Sequence, residues 1–313
     1  MGARQRFVVT GGAGFIGHHT VAALLAEGAD VLVVDDLRHA CPAGAPGAAE
    51  LVVADIASAE AAAAIARFKP GAVLHLAAQA GVNRSRRDPA GDALVNVVGT
   101  VGLIKAALDA GVRRFVMAST GGAIYGPAKR LPTPESSRAQ PRSPYGAAKL
   151  ACEGYLGMFG RSHGLRPLAL RYGNVYGPLQ DGTGEAGVVA ITCTRLLGGQ
   201  PPVIRGDGAQ TRDFVFVEDV AEANIRGLRS LRSGVANVGT GVGSSIATVI
   251  GELIRAAGGG IDPESAPLPE GEVKDSALDV RRAERLLGWK PRTDLRSGLD
   301  RTYRSFKSAA GSF

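Results

Sequence analysis

Short apolar runs alternate along the first half of the chain with longer stretches rich in alanine and leucine, an order that predicts strand, helix and strand in repeated succession. Residues 7–9, 30–34, 51–53, 73–76, 115–118 and 167–171 predict six strands, and residues 57–68, 99–110 and 145–159 predict helices between them. The strand runs are near-continuously apolar, which is the pattern of strands covered on both faces. An α/β class with a doubly wound parallel sheet follows. After Arg171 the texture changes to loops rich in glycine and proline, short mixed strands and a few helices, with no internal repeat or low-complexity linker. This predicts a nucleotide-binding domain over residues 1–172 and a smaller substrate-binding domain over 173–313. Residues 212–231 again read as a strand and a helix, so the segment around 212–240 is expected to pack back on the first domain.

The first strand hands over to the first helix through Thr10-Gly11-Gly12-Ala13-Gly14-Phe15-Ile16-Gly17. Glycines at that junction let the backbone approach a pyrophosphate with no Cβ in the way, and the unpaired N–H groups of a helix start favour an anion. Gly11, Gly14 and Gly17 are the candidates, and the second strand ends in Asp35, where an acid bonds an adenosine ribose. The pattern specifies a Rossmann dinucleotide site. A 2′-phosphate beside Asp35 meets a like charge, so NAD is expected over NADP, although Arg38 lies nearby.

Ser143-Pro144-Tyr145-Gly146-Ala147-Ala148-Lys149 places a tyrosine and a lysine four apart, on one face of a helix that starts at a proline. A phenol near its ordinary pKa is a poor base, but a neighbouring ammonium and an oxidised nicotinamide both stabilise the phenolate. Position gives the pair its meaning, because it opens the helix after the fifth strand. That strand ends in Ser119-Thr120, two hydroxyls at the sheet edge where ligands of open α/β sheets bind.

With 313 residues and 45% hydrophobic side chains the chain can build a large core. There is no charged-then-apolar leader and no uninterrupted apolar stretch of spanning length, so a cytoplasmic protein without a membrane segment is expected. Cys41, Cys152 and Cys193 lie far apart, fit no metal-ligand spacing and suit a reducing compartment. The net charge of +7 is dispersed arginine with no nucleic-acid stripe. Arg84, Arg86 and Arg87 form its densest cluster, either plain surface or the neighbourhood of a diphosphate. His75 is expected to end a buried strand, and Trp289 suggests no site.

These residues together resemble the extended short-chain dehydrogenase/reductases of the NAD-dependent epimerase/dehydratase family, and most closely the compact bacterial UDP-glucose 4-epimerases. The resemblance runs nearly end to end through residues 10–17, Asp35-Asp36-Leu37, Asp55-Ile56, residues 75–79, 96–100, 119–126, 145–149, 171–178, 206–208, 212–214, 237–241 and Leu287-Gly288-Trp289. It implies tightly bound NAD contacted by Gly11, Gly14, Phe15, Ile16, Gly17, Asp35, Asp36, Asp55, Ile56, Leu76, Ala77, Ala78, Gln79, Asn96, Tyr145, Lys149 and Tyr172. Asn174 and Arg212 would contact the nucleotide sugar, with Arg84, Thr120, Val188 and Arg205 as further candidates. In that reading Tyr145 takes the proton of a sugar 4-hydroxyl as hydride passes to NAD, the 4-keto sugar turns over, and both return to invert the centre. Lys149 would bond the nicotinamide ribose, and a homodimer is implied.

The chain also departs from that pattern. Four residues before Tyr125, where many relatives carry the catalytic Ser or Thr, stands Gly121, so Thr120 or Ser119 must donate. Gly121 and Gly122 also argue against a 4,6-dehydratase, whose relatives have Asp-Glu there. Arg205 replaces an aromatic that commonly faces uracil, and an expected arginine is replaced in Pro269-Glu270-Gly271-Glu272. Asn174 and Asp181 stand where uronate users commonly carry Thr and a basic residue, which favours a neutral hexose. UDP-glucuronate 4-epimerisation remains the alternative, with Arg195 or Arg205 as the cation, and a non-catalytic NAD-binding sensor is the alternative from another class.

Overall fold

The computed structural model describes residues 4–183, 187–268 and 273–310. Its first half alternates strands β1 (Arg6–Thr10), β2 (Asp30–Asp35), β3 (Glu50–Val53), β4 (Ala72–His75), β5 (Arg114–Thr120) and β6 (Arg166–Tyr172) with helices α1 (Phe15–Ala26), α2 (Ala59–Phe68), α3 (Val82–Arg87), α4 (Pro89–Ala93), α5 (Gly99–Asp109), α6 (Gly121–Ile124) and α7 (Pro144–His163). All six expected strands are present. The second half supplies β7 (Asn174–Tyr176), α8 (Val188–Leu197), β8 (Val203–Arg205), β9 (Thr211–Arg212), β10 (Phe214–Phe216), α9 (Val217–Arg229), β11 (Gly234–Val238), β12 (Ser244–Ser245), α10 (Ile246–Ala257), β13 (Glu264–Ala266), α11 (Arg281–Leu287) and α12 (Leu295–Ala310).

Seven strands form one parallel sheet in the order β11-β6-β5-β4-β1-β2-β3, so the doubly wound sheet is seen directly. The order reverses between β1 and β4, and the crevice at that reversal is where ligands of open α/β sheets sit. One apolar layer, with Val9, Leu24, Leu74, Leu168 and Trp289, fills the face toward α1 and α9. The other, with Leu32, Ile65, Leu103, Phe115 and Leu156, fills the face toward α2, α5 and α7. A third cluster, including Tyr176, Cys193, Phe214, Phe216, Ile250 and Tyr303, gathers under α8, α10 and α12. Strand β11 joins the main sheet beside β6, and α9 packs on α1, so chain beyond Tyr172 contributes to the first two layers.

The sequence reading started a helix at residue 99. In the structure Pro89–Asp109 runs as one 21-residue helix, α4 and α5 being joined by a π turn over Leu94–Val98. Gly91, Asp92, Asn96 and Gly99 interrupt its apolar period, which is why the pattern breaks there. An 18-residue window of this helix reaches a mean hydropathy of 1.4, long and apolar enough by composition to cross a membrane, although Asp92, Asn96 and Lys105 interrupt it. Its buried face, with Asp92, Asn96, Thr100, Leu103 and Ile104, lies in the fold against α2 and α7. Pro269, Glu270, Gly271 and Glu272 lie outside the described residues.

Candidate active site

The glycine loop is shaped by contacts that only hydrogen permits. Gly11 has φ +70°, and a Cβ there would stand 2.6 Å from the Ala77 nitrogen; one on Gly17 would stand 2.0 Å from the Gly11 carbonyl oxygen. Gly14, the N-cap of α1, would meet nothing closer than 3.3 Å and receives no side-chain cap. The turn is therefore closed on its protein side and open at the helix start. There the first N–H groups of α1, from Phe15, Ile16 and Gly17, lack intrahelical partners and form an anion cradle.

A crevice beside this turn is lined by Gly11, Gly14, Asp35, Asp36, Asp55, Ile56, Leu76, Ala77, Ala78, Gln79 and Arg84, all expected from the sequence, together with Arg38, His39, Ala54 and Val95. Arg84 thus faces the crevice from the exposed side of α3. Asp35 is buried, its carboxylate accepting from the Ala13 and Leu37 N–H groups at 2.9 Å each, so the acid also locks the glycine turn to the end of β2. Arg38 donates to Asp36 at 2.6 Å and reaches Asp55 at 3.4 Å, and it holds the Asp36 carboxyl below the usual range despite partial burial. Asn96 exchanges hydrogen bonds with the backbone of Gln79, at 3.0 and 2.9 Å, and so ties the π turn to the loop after β4.

The candidate pair stands on the first turns of α7, against the end of β5. Ser143 caps α7, its hydroxyl accepting from the Gly146 N–H at 3.2 Å, and Pro144 occupies the first turn. A Cβ on Gly146 would stand 2.5 Å from the Ala123 carbonyl oxygen, so this glycine lets α7 press against the loop after β5. Tyr145 is half-buried, and Lys149, fully buried, places Nζ 5.9 Å from the Tyr145 ring centroid while donating to the Ala118 carbonyl at 3.0 Å. Burial pushes the Tyr145 phenol up, with Asp92 adding to it, and burial pushes Lys149 down.

The two candidate hydroxyls differ. Ser119 is buried and donates to Glu153 Oε1 at 2.6 Å; Glu153 is itself paired with Arg171 at 2.6 Å, both side chains being 7% exposed. Thr120 accepts from the Ala123 N–H at 3.2 Å as cap of α6, and its own proton has no acceptor among the described residues. A Cβ on Gly121 would stand 2.5 Å from the Leu278 side chain and 3.1 Å from the Tyr172 carbonyl oxygen, so a serine there would have to displace buried Leu278. Sequence reasoning missed the Glu153–Arg171 pair, whose only signal was two opposite charges in otherwise apolar elements.

Tyr172 ends β6 buried and donates its hydroxyl to Asn224 at 2.6 Å, away from the crevice. Asn174 starts β7, and its side-chain oxygen lies 3.7 Å from the Cβ position of Gly122, on the Thr120 side of the site. Val188 opens α8, half-buried. Arg212 donates to the Thr211 carbonyl at 2.8 Å, and Arg205 is exposed at the end of β8. Arg195 is held by the Pro201 carbonyl at 2.6 Å and Glu264 at 3.5 Å.

A family model described as the NAD dependent epimerase/dehydratase family matches residues 7–239. A UDP-glucose 4-epimerase of Mycolicibacterium smegmatis is 44% identical over 310 residues, covering 97% of this chain and 99% of that protein. The structure of a UDP-glucose 4-epimerase from Thermotoga maritima with UDP-glucose superposes with a TM-score of 0.94 at 41% identity, over 98% of this chain and all of the other. That of a Thermus thermophilus UDP-glucose 4-epimerase complex with NAD does so with a TM-score of 0.90 at 41% identity, over 97% and 100%.

Proposed function

The chain belongs to the NAD dependent epimerase/dehydratase family, and from that premise we propose that it inverts C4 of a neutral UDP-hexose, of the UDP-glucose and UDP-galactose kind. The observation that carries this reading is the placement of Tyr145, Lys149 and the uncommitted Thr120 hydroxyl together at the end of β5, in the same sheet whose β1 end opens onto the crevice with its anion cradle. NAD fits that cradle: the tight turn at Gly11 and Gly17 leaves the helix start at Gly14 open, and Asp35, Asp36 and Asp55 line the crevice where a ribose needs acceptors. Bound there, it supplies a reversible two-electron oxidation at C4.

The protein's part is proton transfer, orientation and charge. Tyr145 Oη as phenolate accepts the proton of the 4-hydroxyl and later returns it, so the phenol is restored at the end of each turnover. Lys149, held to the Ala118 carbonyl with Nζ 5.9 Å from the Tyr145 ring centroid, is the cation that favours the phenolate. Thr120 donates to O4 as charge develops there, and Ser119, committed to Glu153, positions the helix that carries the pair. Gly121 and Gly122 place no acid beside C5 or C6, which supports epimerisation over dehydration. Arg195 is engaged and Arg205 solvent-exposed, so neither favours a C6 carboxylate. Incubation with UDP-glucose, UDP-N-acetylglucosamine or UDP-glucuronate, followed by NMR, tests the reading. Inversion of a neutral sugar that Tyr145→Phe abolishes supports it, and inversion of the glucuronate alone overturns it.

A further inference from the structure

Basic residues that lie scattered through the sequence meet in space at one place. The first residues of β1, β4, β5 and β6 and the end of α9 enclose a cleft of about 450 Å3, at the opposite end of these strands from Thr120. Its lining includes Arg4, Arg6, Lys69, Arg114, Arg166 and Arg229, drawn from five distant segments, and no Asp or Glu. Buried Phe7, Ala72 and Leu228 line it too, and such apolar walls leave the positive potential poorly screened.

Two of the six cations have partners of opposite charge. Arg4 reaches Asp30 at 3.5 Å with its side chain 74% exposed, a pair worth little, and Arg229 pairs with Glu27 and donates to the Gln5 side chain at 3.0 Å. The other four have no carboxylate partner among the described residues. Arg114 is 3% exposed and donates to the carbonyls of Gly227, Arg166 and Arg232. Those bonds tie the end of α9 to β5 and explain why an arginine stands there, but carbonyls do not neutralise its charge. Arg166 is its register partner on the adjacent strand, and burial, with Arg166 adding to it, pushes Arg114 down to about 10. Arg6 has Cζ 4.3 Å from the centroid of the Phe68 ring, which fixes the guanidinium without discharging it. Lys69 holds the C-cap of α2 at φ +49°, a conformation that favours glycine. Like charges gathered around a buried cation repel, and the fold itself gives Arg6, Lys69 and Arg166 nothing that offsets this.

We propose that this cleft is a second ligand site, binding a small phosphate-bearing anion of at least two negative charges, a diphosphate, among Arg6, Lys69 and Arg166 beside the buried Arg114. Guanidinium forks match phosphate oxygens and an ammonium adds a point charge, which is the set of donors a diphosphate needs. The cations converge on one cleft instead of following a stripe, so a compact anion fits better than a polynucleotide backbone. The site lies at the far end of β5 and β6 from the proposed C4 chemistry and does not depend on it.

The test is calorimetric titration of inorganic pyrophosphate into NAD-loaded protein saturated with UDP, so that the crevice beside α1 is filled. One saturable site is expected. Arg6→Gln/Arg166→Gln should weaken it about tenfold or more while C4 inversion stays at the wild-type rate, and Arg84→Gln, at the cofactor crevice, should leave the affinity unchanged. No saturable binding, equal affinity in the double variant and the wild type, or a loss in Arg84→Gln instead overturns the proposal. Should the double variant not fold, Arg166→Gln alone, at an exposed position, carries the same direction of effect and the same refutation. ADP titrated in the same way distinguishes a diphosphate ester from the free anion, and binding of either that the double variant weakens supports the site. The readout is binding alone, so its failure leaves the proposed function untouched.

Discussion

Two adjacent hydroxyls end β5, and their partners separate their roles. Ser119 donates its hydrogen bond to a buried carboxylate, whereas Thr120 caps one turn and its own proton has no acceptor among the described residues. Thr120→Val should lower kcat by about 10²–10³ with the fold intact, the usual loss for one donor to a developing oxyanion. Ser119→Ala should keep more activity but cost about 1–3 kcal/mol of stability, since Glu153 loses an accepted bond. Steady-state kinetics and denaturant melts on both variants check the pair, and the opposite pattern would exchange the roles. Lys149 favours the phenolate, so Lys149→Met should move the acidic limb of the pH–rate profile upward. The sequence left Ser119 and Thr120 equivalent because both sit at one strand end, and only the distant Glu153 and Arg171 distinguish them.

Among elements, the junction of β1 and α1 was fully legible, since glycines at 11, 14 and 17 have one economical use between a strand and a helix. The structure adds the reason for two of them: a Cβ on Gly17 would strike the Gly11 carbonyl, and one on Gly11, at φ +70°, the Ala77 backbone. Gly17→Ala should therefore push α1 off the turn, so that the purified protein carries less NAD and melts at lower temperature; full NAD content would contradict this. The Pro89–Asp109 helix was legible only in its second half. Its first turns bury polar side chains such as Asp92 and Asn96, hydrogen-bonded to each other, which removes the apolar period that identifies a helix.

At the scale of the molecule, the parallel sheet could be read from six apolar runs, while β11 and the third core could not. Short strands such as Phe214–Phe216, and helices drawn from three distant segments, bury their faces only in company, and no local window holds that pattern. One tie across the sheet has a measurable consequence. His75 is buried between Thr10 at 2.7 Å and Thr100 at 2.8 Å, and burial, with Lys149 adding to it, pushes its pKa down to about 3. The folded chain thus binds fewer protons than the unfolded one between about pH 3 and 6.5, so His75 makes stability rise with pH across that window and fall on acidification. Its slope should approach about 1.4 kcal/mol per pH unit, and His75→Gln should flatten the dependence of the denaturant midpoint on pH. The central claim is oxidation and re-reduction at C4 within one closed site, and proton NMR in D2O tests it most directly. UDP-glucose should yield UDP-galactose that keeps its C4 hydrogen as protium, whereas deuterium at C4, or no conversion by a folded NAD-loaded enzyme, would contradict the account.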